Sequence, residues 1–191
     1  MTVDQGRVEA AVAELLAAIG DDVTRPGLKR TPKRVAEAYA EYFAGIGVDP
    51  VAVLQQGVDA AGDGERGDLV LLRGLEFRSM CEHHLLPFRG LAHVGYLPAG
   101  KVVGLGRLGS VVEILAARPQ LQERLGEQIA SALEEGLAPR GVIVVLEAEH
   151  DCVAARDARQ MNSSTVTLAS RGALSDPVAR AEAMTLIGAA S

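Results

Sequence analysis

Both cysteines of the chain and three of its four histidines lie in two short stretches far apart in sequence. One is Ser79-Met80-Cys81-Glu82-His83-His84, the other Glu149-His150-Asp151-Cys152. A fold that uses these side chains together must bring two distant segments to one point. Soft ligands gathered this way suggest zinc. Cys81 and His84 form a Cys-x-x-His pair that one turn can present to a single ion, and Cys152 would add a third ligand from a distant strand. Two thiolates and one imidazole leave a fourth tetrahedral position for water, as in a catalytic site. An ion held there would lower the pKa of that water towards neutrality.

Spacing leaves several readings open. His83 and His150 are either acid–base partners, a fourth ligand, or hydrogen-bond partners of the ligands. Glu82 is either a solvated charge or a group that orients a neighbour or binds substrate. Another soft divalent ion fits as zinc does. The plain alternative is a buried or disulfide-bonded Cys81–Cys152 pair. His93, placed mid-strand, reads as structural.

The composition narrows the choice of partners. A formal charge of −6 disfavours general affinity for nucleic acid or anionic lipid. The absence of Trp, with three Tyr and three Phe, argues against a stacking platform for single strands. No basic start with an apolar core resembles a signal peptide, and no apolar run approaches the roughly 18 residues of a membrane span. The expectation is a cytoplasmic protein with reduced thiols.

Apolar residues make up 48% of the chain, which excludes disorder as a general description. Val8, Val12, Leu15, Leu16 and Ile19 predict a helix over residues 3–19, with a Thr2/Gln5 capping box. Thr31 as N-cap and Pro32 predict the start of a second helix. Residues 57–68, rich in Gly and Asp, read as a loop. The division expected is a helical region and linker over 1–67 and a catalytic domain over 68–191.

Short strands are predicted at Leu69–Leu72 and Leu75–Met80. A hairpin turn at Pro98-Ala99-Gly100 is expected to join Leu91–Leu97 to Lys101–Leu105. Helices follow at Val111–Ala117 and Gln120–Leu137, the latter with Leu121, Leu125, Ile129 and Leu133 on one face. Val142–Val153 is the strongest strand. If regular, its alternation sets His150 and Cys152 on one side. Ser163–Ala169 reads as a last strand and 177–187 as a closing helix. The class is α+β.

The Cys81-Glu82-His83-His84 signature resembles that of the GTP cyclohydrolase I family. Arg118-Pro119-Gln120-Leu121-Gln122-Glu123-Arg124-Leu125 resembles its second signature. His150-Asp151-Cys152-Val153-Ala154-Ala155-Arg156 and Gln160-Met161-Asn162-Ser163-Ser164-Thr165-Val166-Thr167 resemble a third. The Thr31-Pro32-Lys33-Arg34-Val35 helix start is also similar, and the likeness runs over nearly the whole chain. It implies a T-fold, an antiparallel sheet with paired helices on one side. It further implies assembly into a homodecamer with active sites between subunits.

The activity implied is zinc-dependent opening of the guanine imidazole ring of GTP, giving formate and 7,8-dihydroneopterin triphosphate for pterin, folate or deazapurine synthesis. By the same resemblance Cys81, His84 and Cys152 are metal ligands, and His150 and His83 are catalytic. Glu123, Gln122 and Glu82 are placed on the base side, and Arg107, Arg156 and Arg34 on the phosphate side. The phosphate side departs from the family pattern: Arg107 stands for the usual lysine, Ser110 for an arginine, and Asp157 for a glycine. The competing expectations are a relative acting on another guanine nucleotide, and a non-catalytic protein that uses zinc only for stability.

Overall fold

Residues 3–55, 58–59, 68–155 and 163–188 are described by a computed structural model. The first helix, α1 (Gln5–Ala18), is capped by Asp4, whose side chain accepts from the Arg7 N–H at 3.0 Å. This cap displaces the expected Thr2/Gln5 box, and Thr2 lies outside the described residues. Along the stripe Val8, Val12 and Leu16 are half-buried, while Leu15 and Ile19 are exposed.

The second helix, α2 (Thr31–Tyr42), has Arg30 at its N-cap with no side-chain bond. Thr31 is therefore its first residue and not its cap. Pro32 sits where its missing N–H costs nothing. Arg118 grips the turn after α2, its Nε donating to the Gly45 carbonyl at 2.9 Å and its Nη2 to that of Val48 at 2.6 Å. Gly45 is needed there, since a Cβ would come 1.9 Å from the Ile114 carbonyl oxygen.

A two-residue strand, β1 (Val58–Asp59), pairs with a later one of equal length. The two runs predicted after Asp68 are one strand, β2 (Val70–Cys81). Gly74, at φ 69°, absorbs the interruption as a bulge between Leu72 and Leu75. β3 (Pro87–Leu97) returns antiparallel to it, from Met80 opposite Pro87 to Val70 opposite Tyr96. The hairpin expected at Pro98-Ala99-Gly100 does not form. β4 (Lys101–Val102) pairs with β1, and Leu105 already belongs to α3 (Leu105–Ala116). The dominant pairing is instead with β2, which offers β3 a far longer ladder than a two-residue strand can.

β5 (Pro119–Gln120) runs parallel to the end of β2, and α4 (Gln122–Leu137) follows it. Leu125, Ile129 and Leu133 are fully buried, as their spacing predicts, while Leu121 is the half-buried cap. The helix ends at Ala138, in the left-handed region at φ 44° and ahead of Pro139. Next come β6 (Gly141–His150), a one-turn helix α5 (Asp151–Ala154) and β7 (Thr165–Gly172). A 3-10 turn at Ala173–Ser175 leads into α6 (Pro177–Gly188). The five-stranded sheet has the order β5-β2-β3-β6-β7.

β6 explains its own near-continuous apolar run, because both faces are covered. Val142, Val144, Leu146 and Ala148 join the main core with Leu125, Ile129 and Leu133. Ile143 and Val145 form a second cluster with Leu174 and Ala183. The strand ends at His150 and does not continue to Val153, so alternation is not what positions Cys152. The largely antiparallel sheet with α3 and α4 packed on one face is the α+β arrangement implied by the T-fold resemblance.

Candidate metal centre

The end of β2 folds back on itself in a tight turn. The Leu85 N–H donates to the Cys81 carbonyl at 2.9 Å, and the Cys81 N–H donates to the Leu86 carbonyl at 2.9 Å. Leu85 takes φ 51°, a left-handed conformation that costs a branched residue roughly 1–2 kcal/mol. The Glu82 N–H donates to the Gln120 carbonyl at 3.0 Å, fastening the turn to β5. Cys81 is buried and His84 exposed at opposite ends of this turn.

Cys152 arrives from α5, half-buried, and its ligand atom meets those of Cys81 and His84 with all three within 4.8 Å of one another. Donors around a tetrahedral zinc stand roughly 3.5 Å apart. The S, N, S donor set thus lies within little more than an ångström of zinc spacing, and neither cysteine is in a disulfide.

His150, the last residue of β6, lies outside that donor set. Its ring stacks on Phe88, with centroids 4.7 Å apart and planes 4° from parallel, because the register sets Phe88 directly opposite it. Its Nε2 is 2.7 Å from Oε1 of Gln122, a side chain only 1% exposed at the start of α4. Burial pushes the His150 pKa below its ordinary value, opposed by the negative charge of Glu123. Glu123 is exposed in the first turn of α4. The helix start thus sets an amide and a carboxylate beside the histidine.

Glu82 forms a two-pronged ion pair with Arg124. One prong joins Oε1 to Nη2 at 2.9 Å and the other joins Oε2 to Nη1. The Arg124 hydrogen bond holds the Glu82 pKa below the usual carboxylate value, with a smaller contribution from His83. The pair ties the metal-side turn to α4. His83 is exposed, its ring edge-on to His84 at 6.2 Å.

Among the described residues, the predicted phosphate-side arginines lie on separate elements. Arg107, half-buried in α3, donates from Nη1 to the Val53 carbonyl at 2.8 Å. Ser110 donates to the Gly106 carbonyl at 3.2 Å, and Arg34 is exposed on α2. Arg156 and Asp157 lie outside the described residues. His93, read as structural, is half-buried mid-strand. Its Nδ1 is buried without a hydrogen-bond partner among the described residues, and burial lowers its pKa.

Sequence reasoning missed Phe88 and Arg124. Arg124 carried a signal, as a basic neighbour of Glu123 inside a recognised signature. Phe88 carried none, because its contact with His150 exists only through the β3–β6 register.

A soft three-donor site beside a held histidine, in an α+β frame, is compatible with a metal-assisted hydrolase. Comparison with known proteins narrows that class. The family model for GTP cyclohydrolase I matches residues 8–188. GTP cyclohydrolase 1 of Leifsonia xyli is 58% identical over 185 residues, which cover 97% of this chain and 96% of that protein. The enzymes of the same name from Streptomyces griseus and Carboxydothermus hydrogenoformans are each 53% identical. These cover 96% and 97% of this chain and 90% and 96% of their own lengths, respectively. The chain belongs to the GTP cyclohydrolase I family.

Proposed function

We propose that the protein hydrolyses and rearranges GTP, giving 7,8-dihydroneopterin triphosphate and formate as a precursor step for pterins, folate or deazapurines. The observation that carries this reading is the convergence of a Cys81, His84, Cys152 donor set with His150 and Glu123 at one end of the sheet. Cys81, His84 and Cys152 would hold zinc, which would supply a Lewis acid that lowers the pKa of water towards neutrality.

Glu123 anchors the base. Guanine presents N1–H and its 2-amino group side by side, and a carboxylate accepts both. C8 of the purine is a poor electrophile until N7 is protonated or hydrogen-bonded, so ring opening needs a proton-carrying group. His150 fills that role: neutral at rest, it takes the proton released by the attacking water and passes it to N7, and the Glu123 charge favours the cation formed in between. His83 serves as a second acid–base group towards the ribose. Arg107, Arg156 and Arg34 meet the triphosphate, and Glu82 acts by holding Arg124.

Residues 68–191 form the catalytic unit and 1–67 its helical region, and the enzyme works as a homodecamer with sites between subunits. That reading is supported by the position of β7 at a sheet edge with Val166 and Leu168 exposed, and by the exposure of His83 and Glu123 in a single chain. A reducing cytoplasm keeps both cysteines available as thiols. The test is incubation of zinc-replete protein with GTP, following formate release and the ultraviolet spectrum of a pterin. No formate from protein with confirmed zinc would sink the proposal.

The bond of Arg107 to Val53 favours weighing a second reading, a guanine nucleotide with fewer phosphates. Equal turnover of GTP, GDP and guanosine would select it.

A further inference from the structure

Gln122 falls among the base-side residues by resemblance, yet its amide is committed within the chain. Its Nε2 lies 2.8 Å from the Thr165 carbonyl, 3.0 Å from that of Leu146 and 3.2 Å from Oγ1 of Thr167. Two carbonyls can only accept, so the NH2 must face them. The reverse orientation would set the amide oxygen against two carbonyl oxygens in a site that is 1% exposed. Oε1 therefore faces His150, and an amide oxygen only accepts. At 2.7 Å the His150 Nε2 must carry the hydrogen. The neutral ring then has its free lone pair on Nδ1. Stacking on Phe88 fixes the ring plane, so a ring flip would break the Gln122 bond.

We infer that Gln122 is a positioning residue that locks His150 as the Nε2–H tautomer, leaving Nδ1 as the nitrogen that exchanges a proton with substrate. The last clause rests on the reaction proposed above; the tautomer does not. Two paired strands supply the lock: Leu146 from β6 and Thr165 and Thr167 from β7 orient the amide, and α4 delivers it. The role is indirect, because Gln122 acts on the reaction only through His150.

The chain has four histidines, so nitrogen-15 histidine labelling of the zinc-loaded enzyme gives a readable solid-state NMR spectrum, with His150 identified by its loss in His150→Ala. The expected wild-type spectrum shows His150 with Nε2 protonated and Nδ1 bare. A Nδ1–H tautomer, or a mixture, would overturn the inference without recourse to any variant. Gln122→Met keeps the length and removes the acceptor. It is expected to mix the two tautomers and lower kcat roughly ten- to hundredfold, with KM for GTP and zinc content unchanged. A raised KM with unchanged kcat would instead make Gln122 a base contact and refute the positioning role. If wild-type enzyme releases no formate from GTP, the proposed reaction fails, and the wild-type tautomer still decides the Gln122 assignment.

Discussion

The base side and the phosphate side of the candidate site are built differently. On the base side three groups are held by partners from other elements of the fold, while Glu123 stands exposed. Gln122 is held by three acceptors, His150 by Gln122 and Phe88, and Glu82 by Arg124. On the phosphate side Arg107 and Ser110 bond to backbone carbonyls of their own surroundings, and Arg34 stands exposed. The contrast teaches where preorganisation is needed. Proton transfer at a ring nitrogen tolerates little misplacement, whereas a triphosphate is gripped by long cationic side chains that move to meet it.

The sharpest break of this comparison is at the metal. Cys152→Ala should abolish both zinc retention and turnover, read by metal analysis and formate release, because two donors cannot hold the ion against exchange. Full activity with full zinc would remove Cys152 from the ligand set. Next in size, His150→Ala should keep its zinc while kcat falls by roughly 10²–10⁴. Loss of zinc in that variant would make His150 a ligand.

The phosphate side should respond less. Arg107→Ala is expected to raise KM for GTP about tenfold and to leave that for guanosine unmoved. A lowered melting temperature with unchanged KM would show that the bond to Val53 is its whole role.

The smallest effect is expected away from both sides. The folded-state pKa of His93 lies below its ordinary 6.5, from burial first and the Arg73 charge second. A group depressed in this way stabilises the fold above its unfolded pKa, and that contribution is lost as pH falls through the folded value. His93→Gln should therefore flatten the fall in denaturation midpoint below about pH 6.5. An unchanged slope would assign the acid sensitivity to other groups.

Much of the fold was legible because burial period is a local property. The stripe Leu125, Ile129, Leu133 marked the buried face of α4, and the alternation from Val142 to Ala148 marked the face of β6 that meets it. The hairpin expected at Pro98-Ala99-Gly100 failed for a non-local reason. A turn signal states where a chain can reverse, and not which strand will accept the returning segment, and Lys101–Val102 went to β1.

The candidate site divides along the same line. By itself the sequence determined the kinds of atom available: two thiolates, neighbouring histidines, and a glutamine and a glutamate in succession at a helix start. Only the tertiary structure decided how they meet. It ended β6 at His150 so that a helical turn delivers Cys152 to Cys81 and His84, set Phe88 under the His150 ring, and closed Arg124 on Glu82. The physical reason is that ligand chemistry belongs to single side chains. Register and strand ends are settled by the summed pairing and packing of the whole sheet, which no local window contains.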